Sequence, residues 1–369
     1  MTSTVTRPKP RSDLLAMEGY HSPQVDVHVR LNTNESPVAP PVAWQETLAD
    51  EVAGIDFHRY PDRAALALRR GIAELHGVES ANVFVANGSN EVLQTLCLTF
   101  AGAGRSILTF EPSYMLHSHI GRISGAVAVA AERDADFAIS TATIDAALHS
   151  FPDGDPGPSI LFLCSPNNPT GVVDGREVIE HALLRAPGLV VVDEAYGQFA
   201  SWTALDLVEE NRNLVVVRTF SKTWAMAAAR IGYLVGPRWL VEELDKVVLP
   251  YHLDAMKQAA GRLALRFDND MRERVATLVA ERERLAASLA RLPVQVWPSG
   301  ANFILFRPLH VGADNVWQGL VERGVLVRNC ASWPRLDGCL RVTIGTTSED
   351  DQFLAALSDV LCDAVNGDG

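Results

Sequence analysis

Residues 213–233 read NLVVVRTFSKTWAMAAARIGY. The stretch opens with a short run of apolar, mostly β-branched residues, which is typical of a strand that is buried on both faces. Lys222 follows this run, between a hydroxyl residue and a series of small apolar residues, and Arg230 comes eight positions later. The pattern predicts a buried strand whose carboxyl end carries an amine, with a second cation placed about two helical turns further on.

Similar apolar runs alternate with helix-like segments from about residue 44 to residue 248. The runs are VFVA (83–86), SILTF (106–110), SILFLC (159–164) and LVVVD (189–193). Such alternation predicts an α/β fold with a mainly parallel sheet and helices on both faces. We therefore expect a large domain over residues 44–248. An arm rich in proline and polar residues, over residues 1–43, precedes it and is expected to join the smaller domain or a dimer contact.

The pattern changes after about residue 250, which predicts a smaller α+β domain over residues 249–369. Its strand-like runs are NFILF (302–306), GVLVR (324–328) and CLRVTIG (339–345). Apolar residues at 3- and 4-residue spacings predict one long helix over residues 271–292, which Pro293 would end. This helix could form a coiled coil or pack on the domain core, and Arg282 interrupts its apolar stripe, which favours the second alternative.

Composition excludes several classes of function. The 369 residues carry a formal net charge of −13, with 47% hydrophobic and 21% charged residues. A basic excess usually marks proteins that bind nucleic acid, so neither nucleic acid nor an anionic membrane is expected as a partner. No apolar run approaches the ~20 residues of a membrane helix. The five cysteines show no CxxC pairing, which predicts reduced thiols in a cytoplasmic protein and no metal site.

Polar side chains follow each strand-like run. The segments are NGSNE (87–91), EPSYMLH (111–117), SPNNPTG (165–171), DEAY (193–196) and TFSK (219–222). Because the carboxyl ends of parallel strands meet at one edge of a sheet, these side chains should gather there. The rim would hold Ser89, Asn90, Tyr114, His117, Asn168, Asp193, Tyr196, Thr219, Ser221, Lys222 and Arg230.

The chemistry of this set indicates a phosphorylated, aromatic ligand that carries an aldehyde. A helix start at Ser89 and Asn90 offers backbone N–H groups to an anion, and Arg230 offers a charged contact to phosphate. The amine of Lys222 can form a Schiff base with an aldehyde. A carboxylate such as Asp193 keeps a pyridine nitrogen protonated, so that the ring can accept electrons. Pyridoxal 5′-phosphate (PLP) fits this description.

The order of these motifs resembles the fold-type I aminotransferases. SPNNPTG, DEAY and an SK followed eight residues later by arginine carry this resemblance. The segments NGSNEVL (87–93), RYPD (59–62), LNTNESP (31–37) and CLRVTIGT (339–346) are similar to those of the histidinol-phosphate aminotransferases. The resemblance extends from about residue 19 to residue 350. It implies the fold of the PLP-dependent transferases of fold type I, with a large PLP-binding domain and a smaller one.

The resemblance also implies roles for individual residues. Lys222 would bind PLP covalently and Asp193 would pair with the pyridine nitrogen, supported by His117. Tyr196 and Asn168 would bond the 3′-oxygen, and Tyr114 would stack on the ring. The phosphate would be held by Ser89, Asn90, Thr219 or Ser221, Arg230, and Tyr60 of the other subunit of a homodimer. Catalysis would rest on Lys222, Asp193 and Tyr196.

On the substrate side, Arg341 and Asn168 would hold the carboxylate of an amino or keto acid. Tyr20 and Arg328 would touch the distal end of the substrate, and Arg335 or Arg323 could replace Arg328 there. The arm in this chain reads NESPVAPP where relatives often have NENP followed by an aromatic residue and glycine, which bears on the identity of the substrate.

The resemblance implies a ping-pong transamination between an amino donor and a keto acid. L-Histidinol phosphate with 2-oxoglutarate is the expected pair, which would give imidazole acetol phosphate and L-glutamate in histidine biosynthesis. Three alternatives remain. An aromatic donor such as phenylalanine uses the same cofactor residues, and so does a decarboxylase of amino-acid phosphates. A PLP-sensing regulator would need a DNA-binding domain ahead of this fold, where this sequence has about 40 residues.

Overall fold

The computed structural model of the chain describes residues 8–15, 17, 19, 25–152 and 154–367, with side chains described to residue 363. Tyr20, which the sequence predicts to contact substrate, lies outside the described residues. The strands are β1 (Val29–Leu31), β2 (Val83–Ala86), β3 (Ser106–Glu111), β4 (Val127–Glu132), β5 (Ile160–Cys164), β6 (Leu189–Asp193), β7 (Leu214–Thr219), β8 (Gly232–Val235), β9 (Val294–Val296), β10 (Phe303–Pro308), β11 (Val325–Asn329) and β12 (Leu340–Thr343).

The α-helices lie between these strands. They are α1 (Val42–Ala53), α2 (Leu66–His76), α3 (Gly88–Phe100), α4 (Leu116–Ile123), α5 (Thr141–His149), α6 (Arg176–Arg185), α7 (Arg238–Val247), α8 (Ala255–Ala264), α9 (Asp268–Leu289), α10 (Ala313–Glu322) and α11 (Thr347–Gly367). No helix within the described ranges is long and apolar enough to cross a membrane.

A seven-stranded sheet in the order β2-β8-β7-β6-β5-β3-β4 forms the larger layer. The neighbours from β7 to β4 are parallel, whereas β8 is antiparallel to both β7 and β2. β2 therefore runs in the same direction as β7, and its carboxyl end lies at the same edge as those of β3, β5, β6 and β7. The α/β fold with a mainly parallel sheet, predicted from the sequence, is confirmed.

Successive side chains of β7 supply the hydrophobic cores on the two faces of this sheet. Val215 and Val217 pack in the core that includes α3 and α7, whereas Leu214 and Val216 pack in the core that includes α5 and α6. Side chains in a strand point alternately to opposite faces, so only a continuous apolar run can fill both cores. Each fully buried valine contributes about 2 kcal/mol. This packing fixes the strand end that precedes Lys222.

A five-stranded sheet in the order β1-β11-β12-β10-β9 forms the second layer. β1 pairs in parallel with β11, with Val29 opposite Val325, and the remaining pairs are antiparallel. The arm predicted to be extended therefore contains a short strand of this sheet, just before the LNTNES segment. The domain boundaries at residues 43 and 248 stay predictions.

Helix α9 packs against the core of the smaller sheet, as the second of the two alternatives for this helix predicts. Leu278, Leu285 and Leu289 are buried in that core. Arg282, which interrupts the apolar stripe, is itself buried, and its Nη1 donates a hydrogen bond to the carbonyl oxygen of Ala301 at 3.1 Å. This hydrogen bond gives the buried guanidinium group a partner, so a charged residue in the apolar stripe is compatible with burial of this face of the helix.

Candidate active site

A cavity of about 410 Å³ lies at the carboxyl edge of the larger sheet, where the smaller sheet and the arm approach it. Its wall combines residues from all three regions, separated by up to about 300 positions in the chain. Twelve of the residues predicted from the sequence line it: Ser89, Asn90, Tyr114, Asn168, Asp193, Tyr196, Thr219, Ser221, Lys222, Arg230, Arg328 and Arg341. They include ten of the eleven residues predicted for the sheet edge, and His117 is the one that does not line the cavity.

Lys222 is half-buried in the cavity wall. Its Nζ donates to the carbonyl oxygen of Thr33 at 3.1 Å and lies 5.8 Å from the centre of the Tyr196 ring. Burial lowers the pKa of Lys222 to about 8, and the positive charges of Arg341 and Arg230 act in the same direction. A larger fraction of this amine is neutral near pH 8 than of an exposed lysine, and only the neutral amine is a nucleophile.

We expect the rate at which the ligand-free protein reacts with PLP to rise with pH through a midpoint near 8. Because positive charge on Arg341 lowers the pKa of Lys222, Arg341→Gln should move the midpoint upward, toward the ~10.4 of an exposed lysine. Stopped-flow absorbance across a pH series measures both. Arg323→Gln, a change on the surface, is the matched control, and an unchanged midpoint in Arg341→Gln would contradict the assigned cause.

One end of the cavity is built to bind an anion. Helix α3 begins at Gly88, so the backbone N–H groups of its first turn, with Ser89 and Asn90, lack partners within the helix and point to the cavity end of the helix axis. Gly88 has φ +79°, and a Cβ there would lie 2.7 Å from Nη2 of Arg230. Glycine is therefore required both by the backbone conformation and by the closeness of the guanidinium group.

Arg230 completes this anion-binding end. Its backbone is left-handed, with φ 52°, a conformation that a non-glycine residue adopts at a cost of about 1 kcal/mol or more. The conformation brings Nη1 to 3.0 Å from Oγ of Ser221, whose Oγ in turn accepts from Oγ1 of Thr219 at 3.0 Å. Backbone donors, two hydroxyl groups and a guanidinium thus face one point, which is the donor set that a phosphate prefers.

The opposite end presents a carboxylate. Asp193, at the end of β6, is buried, and its Oδ2 lies 2.9 Å from Nε2 of His117 while its Oδ1 accepts from the backbone N–H of Ala195 at 3.0 Å. The His117 ring stacks on Phe162 with centroids 4.7 Å apart and meets the Tyr114 ring edge-on at 5.4 Å. His117 supports Asp193 from behind, as the resemblance implies, and fixes the direction of its carboxylate.

Two side chains between these ends can still donate into the cavity. The Oδ1 atom of Asn168 accepts from Nη1 of Arg341 at 2.5 Å, so the amide nitrogen of Asn168 faces away from Arg341. The hydroxyl oxygen of Tyr196 accepts from Nδ2 of Asn34 at 2.9 Å, and burial raises the pKa of Tyr196 to about 12. Tyr196 is therefore a neutral phenol that keeps its hydrogen for donation.

The Tyr114 ring forms part of the cavity wall. Its hydroxyl group donates to Oδ1 of Asn90 at 3.1 Å. Asn90 thus orients an aromatic ring with its side chain while its backbone belongs to the first turn of α3. The ring is held between the anion-binding end and Asp193, where a flat aromatic ligand could stack on it.

The substrate side of the cavity is cationic. Arg328 of β11 and Arg341 of β12 are opposite one another in the antiparallel register, and both are buried. The Arg341 guanidinium lies 5.0 Å from the Phe303 ring centre, and that of Arg328 lies 5.1 Å from the Trp333 ring centre. Two neighbouring guanidinium groups favour a ligand group with more than one negative charge.

The other cations proposed for the distal group lie elsewhere. Arg335 donates to the backbone carbonyl of Asp134 at 2.9 Å, and Arg323 pairs with Asp363 at 2.6 Å on the surface. Neither lines the cavity. Tyr60 does not line it either: it is 81% exposed and stacks on Tyr251 with ring centroids 4.5 Å apart. Tyr60 therefore contributes nothing to the cavity wall of its own chain.

The residues present fit PLP by the chemistry of their donors. The anion-binding end suits a phosphate, the Tyr114 ring suits a flat heteroaromatic ring, and Asp193 suits a protonated ring nitrogen. Tyr196 and Asn168 suit an oxygen anion on the ring, and the Lys222 amine suits an aldehyde. Each functional group of PLP has a partner of matching chemistry in this wall.

Eleven wall residues were not predicted from the sequence, and four of them are Thr33, Asn34, Glu35 and Trp333. Thr33, Asn34 and Glu35 belong to the LNTNESP segment, which carries part of the resemblance but does not by itself indicate which of its residues face the site. Trp333 lies on a loop after β11, and its Nε1 donates to the carbonyl oxygen of Ser113 at 3.1 Å, 220 positions away. No local pattern in the sequence indicates that contact.

The chain is similar to known aminotransferases along most of its length. A family model described as aminotransferase class I and II matches residues 27–357. The histidinol-phosphate aminotransferase of Mycobacterium marinum is 42% identical over 373 residues, which cover 96% of this chain and 95% of that protein.

Two solved structures share the fold at lower identity. The histidinol-phosphate aminotransferase of Sinorhizobium meliloti, in complex with PLP, has a TM-score of 0.80 and 22% identity, covering 92% of each chain. The L-threonine-O-3-phosphate decarboxylase of Porphyromonas gingivalis has a TM-score of 0.77 and 22% identity, covering 90% of this chain and 99% of its own. From the family match and the identity to the mycobacterial relative, we conclude that the chain belongs to the class I and II aminotransferases, which depend on PLP.

Proposed function

We propose that this chain is the PLP-dependent transaminase that converts L-histidinol phosphate and 2-oxoglutarate to imidazole acetol phosphate and L-glutamate, in histidine biosynthesis. The choice of substrate rests mainly on one observation: the buried arginines Arg328 and Arg341 lie opposite each other on neighbouring strands. A phosphate monoester carries up to two negative charges, which match two guanidinium groups better than a single carboxylate does. The name of the mycobacterial relative supports the same substrate.

Lys222 and Asp193 would have different roles, because they lie at different positions around bound PLP. When bound, PLP supplies an electron sink that acidifies the substrate carbon next to the amino group. Lys222 would bind the aldehyde carbon of PLP. Once its amine is released, it would move a proton from the substrate carbon next to the amino group to that former aldehyde carbon, and a pKa of about 8 suits both accepting and giving up the proton. Asp193, held by His117, would keep the ring nitrogen protonated.

Other residues would orient PLP and neutralise its negative charges. The first turn of α3, Ser221 and Arg230 would fix the phosphate of PLP, which sets the position of the ring. Tyr196 and Asn168 would donate to its 3′-oxygen. The amino donor must leave as a keto compound before 2-oxoglutarate takes its place, which gives ping-pong kinetics.

Steady-state kinetics with alternative donors test the proposal. We expect kcat/KM for L-histidinol phosphate to exceed that for L-phenylalanine by about 10²-fold or more, with parallel double-reciprocal plots when 2-oxoglutarate is varied. A higher kcat/KM for phenylalanine would keep the transaminase and overturn the substrate. Release of carbon dioxide from an amino-acid phosphate without a keto acid would replace the transaminase by a decarboxylase.

Arg328→Ala should separate the two kinds of donor. Loss of a charge-assisted contact worth about 1.5–3 kcal/mol corresponds to a rise of roughly 10–100-fold in KM for L-histidinol phosphate. KM for L-phenylalanine, which lacks the phosphate, should change much less. Arg335→Ala, on the loop that follows β11, is the control, because Arg335 lies outside the cavity. Equal effects of Arg328→Ala on both donors would argue against a phosphate contact.

We also propose that the active form is a cytoplasmic homodimer. Tyr60 is exposed and stacked on Tyr251, and Phe57 and Leu249 nearby in sequence are 69% and 75% exposed. Such apolar exposure is typical of a surface that a partner covers. In a dimer, Tyr60 would reach the PLP phosphate of the other subunit. Sedimentation velocity should give about twice the 40.1 kDa chain mass, and a monomer would overturn this point. The five free cysteines support a reducing compartment.

A further inference from the structure

Asn34 lies where the arm, the smaller sheet and the larger sheet meet. It follows β1 by three residues and is 1% exposed. Its backbone is left-handed, with φ 54°, a conformation that asparagine tolerates better than most residues. The carbonyl oxygen of Asn34 accepts from Nδ2 of Asn302 at 3.2 Å. The backbone of Asn34 is therefore held by a hydrogen bond that does not involve its own side chain.

The hydrogen bonds of the Asn34 side chain have a defined direction. The backbone N–H of Asn34 donates to Oγ1 of Thr343 at 3.0 Å, so this hydroxyl oxygen acts as an acceptor and its hydrogen is free to donate. The Thr343 hydroxyl donates back to Oδ1 of Asn34 at 3.1 Å. Because Oδ1 of Asn34 accepts this hydrogen bond, the NH₂ group of the same amide points the other way and donates to the hydroxyl oxygen of Tyr196 at 2.9 Å.

The consequence concerns the hydrogen of the Tyr196 hydroxyl. A phenol has one hydrogen, and an oxygen that accepts from Asn34 does not spend that hydrogen on Asn34. Tyr196 is buried in the cavity wall, beside Lys222. The hydrogen is thus left to point into the cavity. Reversal of the Asn34 amide would place its oxygen against Tyr196 and turn that hydrogen away from the cavity.

We propose that Asn34 is a positioning residue that aims the Tyr196 hydroxyl hydrogen at the 3′-oxygen of bound PLP. This inference rests on the proposed function, because it takes Tyr196 as the partner of that oxygen. It assigns to the arm a role in tuning the cofactor, through a relay from Thr343 to Asn34 to Tyr196. The same arm segment also contacts the amine, through Thr33 and Lys222.

The relay predicts a shift in the titration of the bound cofactor. A hydrogen bond donated to the 3′-oxygen stabilises the more anionic, deprotonated form of bound PLP and lowers the pH at which its visible absorption changes. Asn34→Ala should weaken that donation and raise the midpoint by about one pH unit, the size expected for one hydrogen bond to a charged group. The holoenzyme, reconstituted with PLP, is titrated without substrate, so the readout does not depend on turnover.

A double-mutant cycle separates this role from a merely structural one. If Asn34 acts through the Tyr196 hydroxyl, Asn34→Ala should cause no further shift in a Tyr196→Phe background. An equal shift in both backgrounds, or no shift in the wild-type background, would overturn the inference. Ser36→Ala, in the same arm, removes a hydroxyl that bonds to the Val38 backbone and should leave the midpoint unchanged.

Asn34→Asp secures the test if the alanine variant does not fold. Aspartate keeps the shape of the side chain and the tolerance for a left-handed backbone, but its carboxylate only accepts hydrogen bonds. The new carboxylate would draw the Tyr196 hydrogen away from the cofactor, and the midpoint should again rise. A midpoint that falls or stays constant in Asn34→Asp contradicts the relay. If the wild-type protein shows no visible band after reconstitution, the proposed function itself has failed, which is a separate outcome.

Discussion

Replacing Lys222 with alanine is expected to lower kcat for transamination by about 10⁴-fold or more while the protein remains folded. Lys222 is the one lysine in the wall of the cavity among the described residues, and it would supply both the covalent bond to PLP and the proton transfer. Its burial lowers its pKa to about 8, so the folded state gains little from the charged amine and should tolerate its loss. Single-turnover absorbance and far-ultraviolet circular dichroism measure the two effects.

Lys246→Ala is the matched control for this experiment. Lys246 lies on α7, is exposed, and its Nζ pairs with Glu243 at 2.5 Å. A surface pair of this kind contributes at most about 1 kcal/mol, so both activity and fold should be retained. Lys222→Ala with activity within tenfold of the wild type would mean that another group carries the reaction.

The second large effect is expected from Asp193→Asn, which should lower kcat by about 10²–10³-fold. Asparagine keeps the shape of the side chain and can still bond to His117, but it lacks the charge that would hold the ring nitrogen of PLP protonated. The loss should appear in the proton-transfer step more than in substrate binding. Pre-steady-state absorbance with L-histidinol phosphate measures that step.

Asp206→Asn provides the control for the change of charge, since Asp206 is exposed and does not line the cavity. It should leave kcat within about threefold of the wild type, as is usual for a surface substitution. A similarly small change in Asp193→Asn would show that the carboxylate is not needed at the ring nitrogen.

The residues at strand ends could be predicted because local sequence decides their place. LVVVD and NLVVVR are continuous apolar runs that can only be strands buried on both faces, and parallel pairing then brings Asp193 and Lys222 to one edge. Because the functional residue directly follows the strand in the chain, its position at the sheet edge can be predicted without knowing the rest of the fold. The same reasoning placed Asn168 and Ser89 correctly at this edge.

Two strands of the larger sheet escaped the sequence patterns for opposite reasons. β4, which reads VAVAAE, is a partly exposed edge strand with small alanine side chains, so its apolar signal is weak. β8, which reads GYLV, is short and directly continues the segment that carries Arg230, so it was not separated from it. Both segments are strands because they pair with neighbouring strands, and their own composition gives only a weak signal.

The contacts of the arm could not be predicted because they depend on pairing between distant parts of the chain. Asn34 meets Thr343 across 309 positions, and this contact exists only because β1 pairs with β11 beside β12. The exposure of Tyr60 likewise follows from tertiary packing. Sequence could assign Tyr60 to a neighbouring subunit only through the resemblance to a dimeric family.

The most direct test of the account is to identify the residue that binds PLP. The protein is reconstituted with PLP, reduced with borohydride, digested, and its peptides are mapped by mass spectrometry, with Lys222→Ala treated in parallel. The account predicts one dominant pyridoxyl-modified peptide that contains Lys222, and its disappearance from the variant. Modification that is absent, or that falls mainly on another lysine such as Lys257, would contradict the assignment of this cavity as the PLP site.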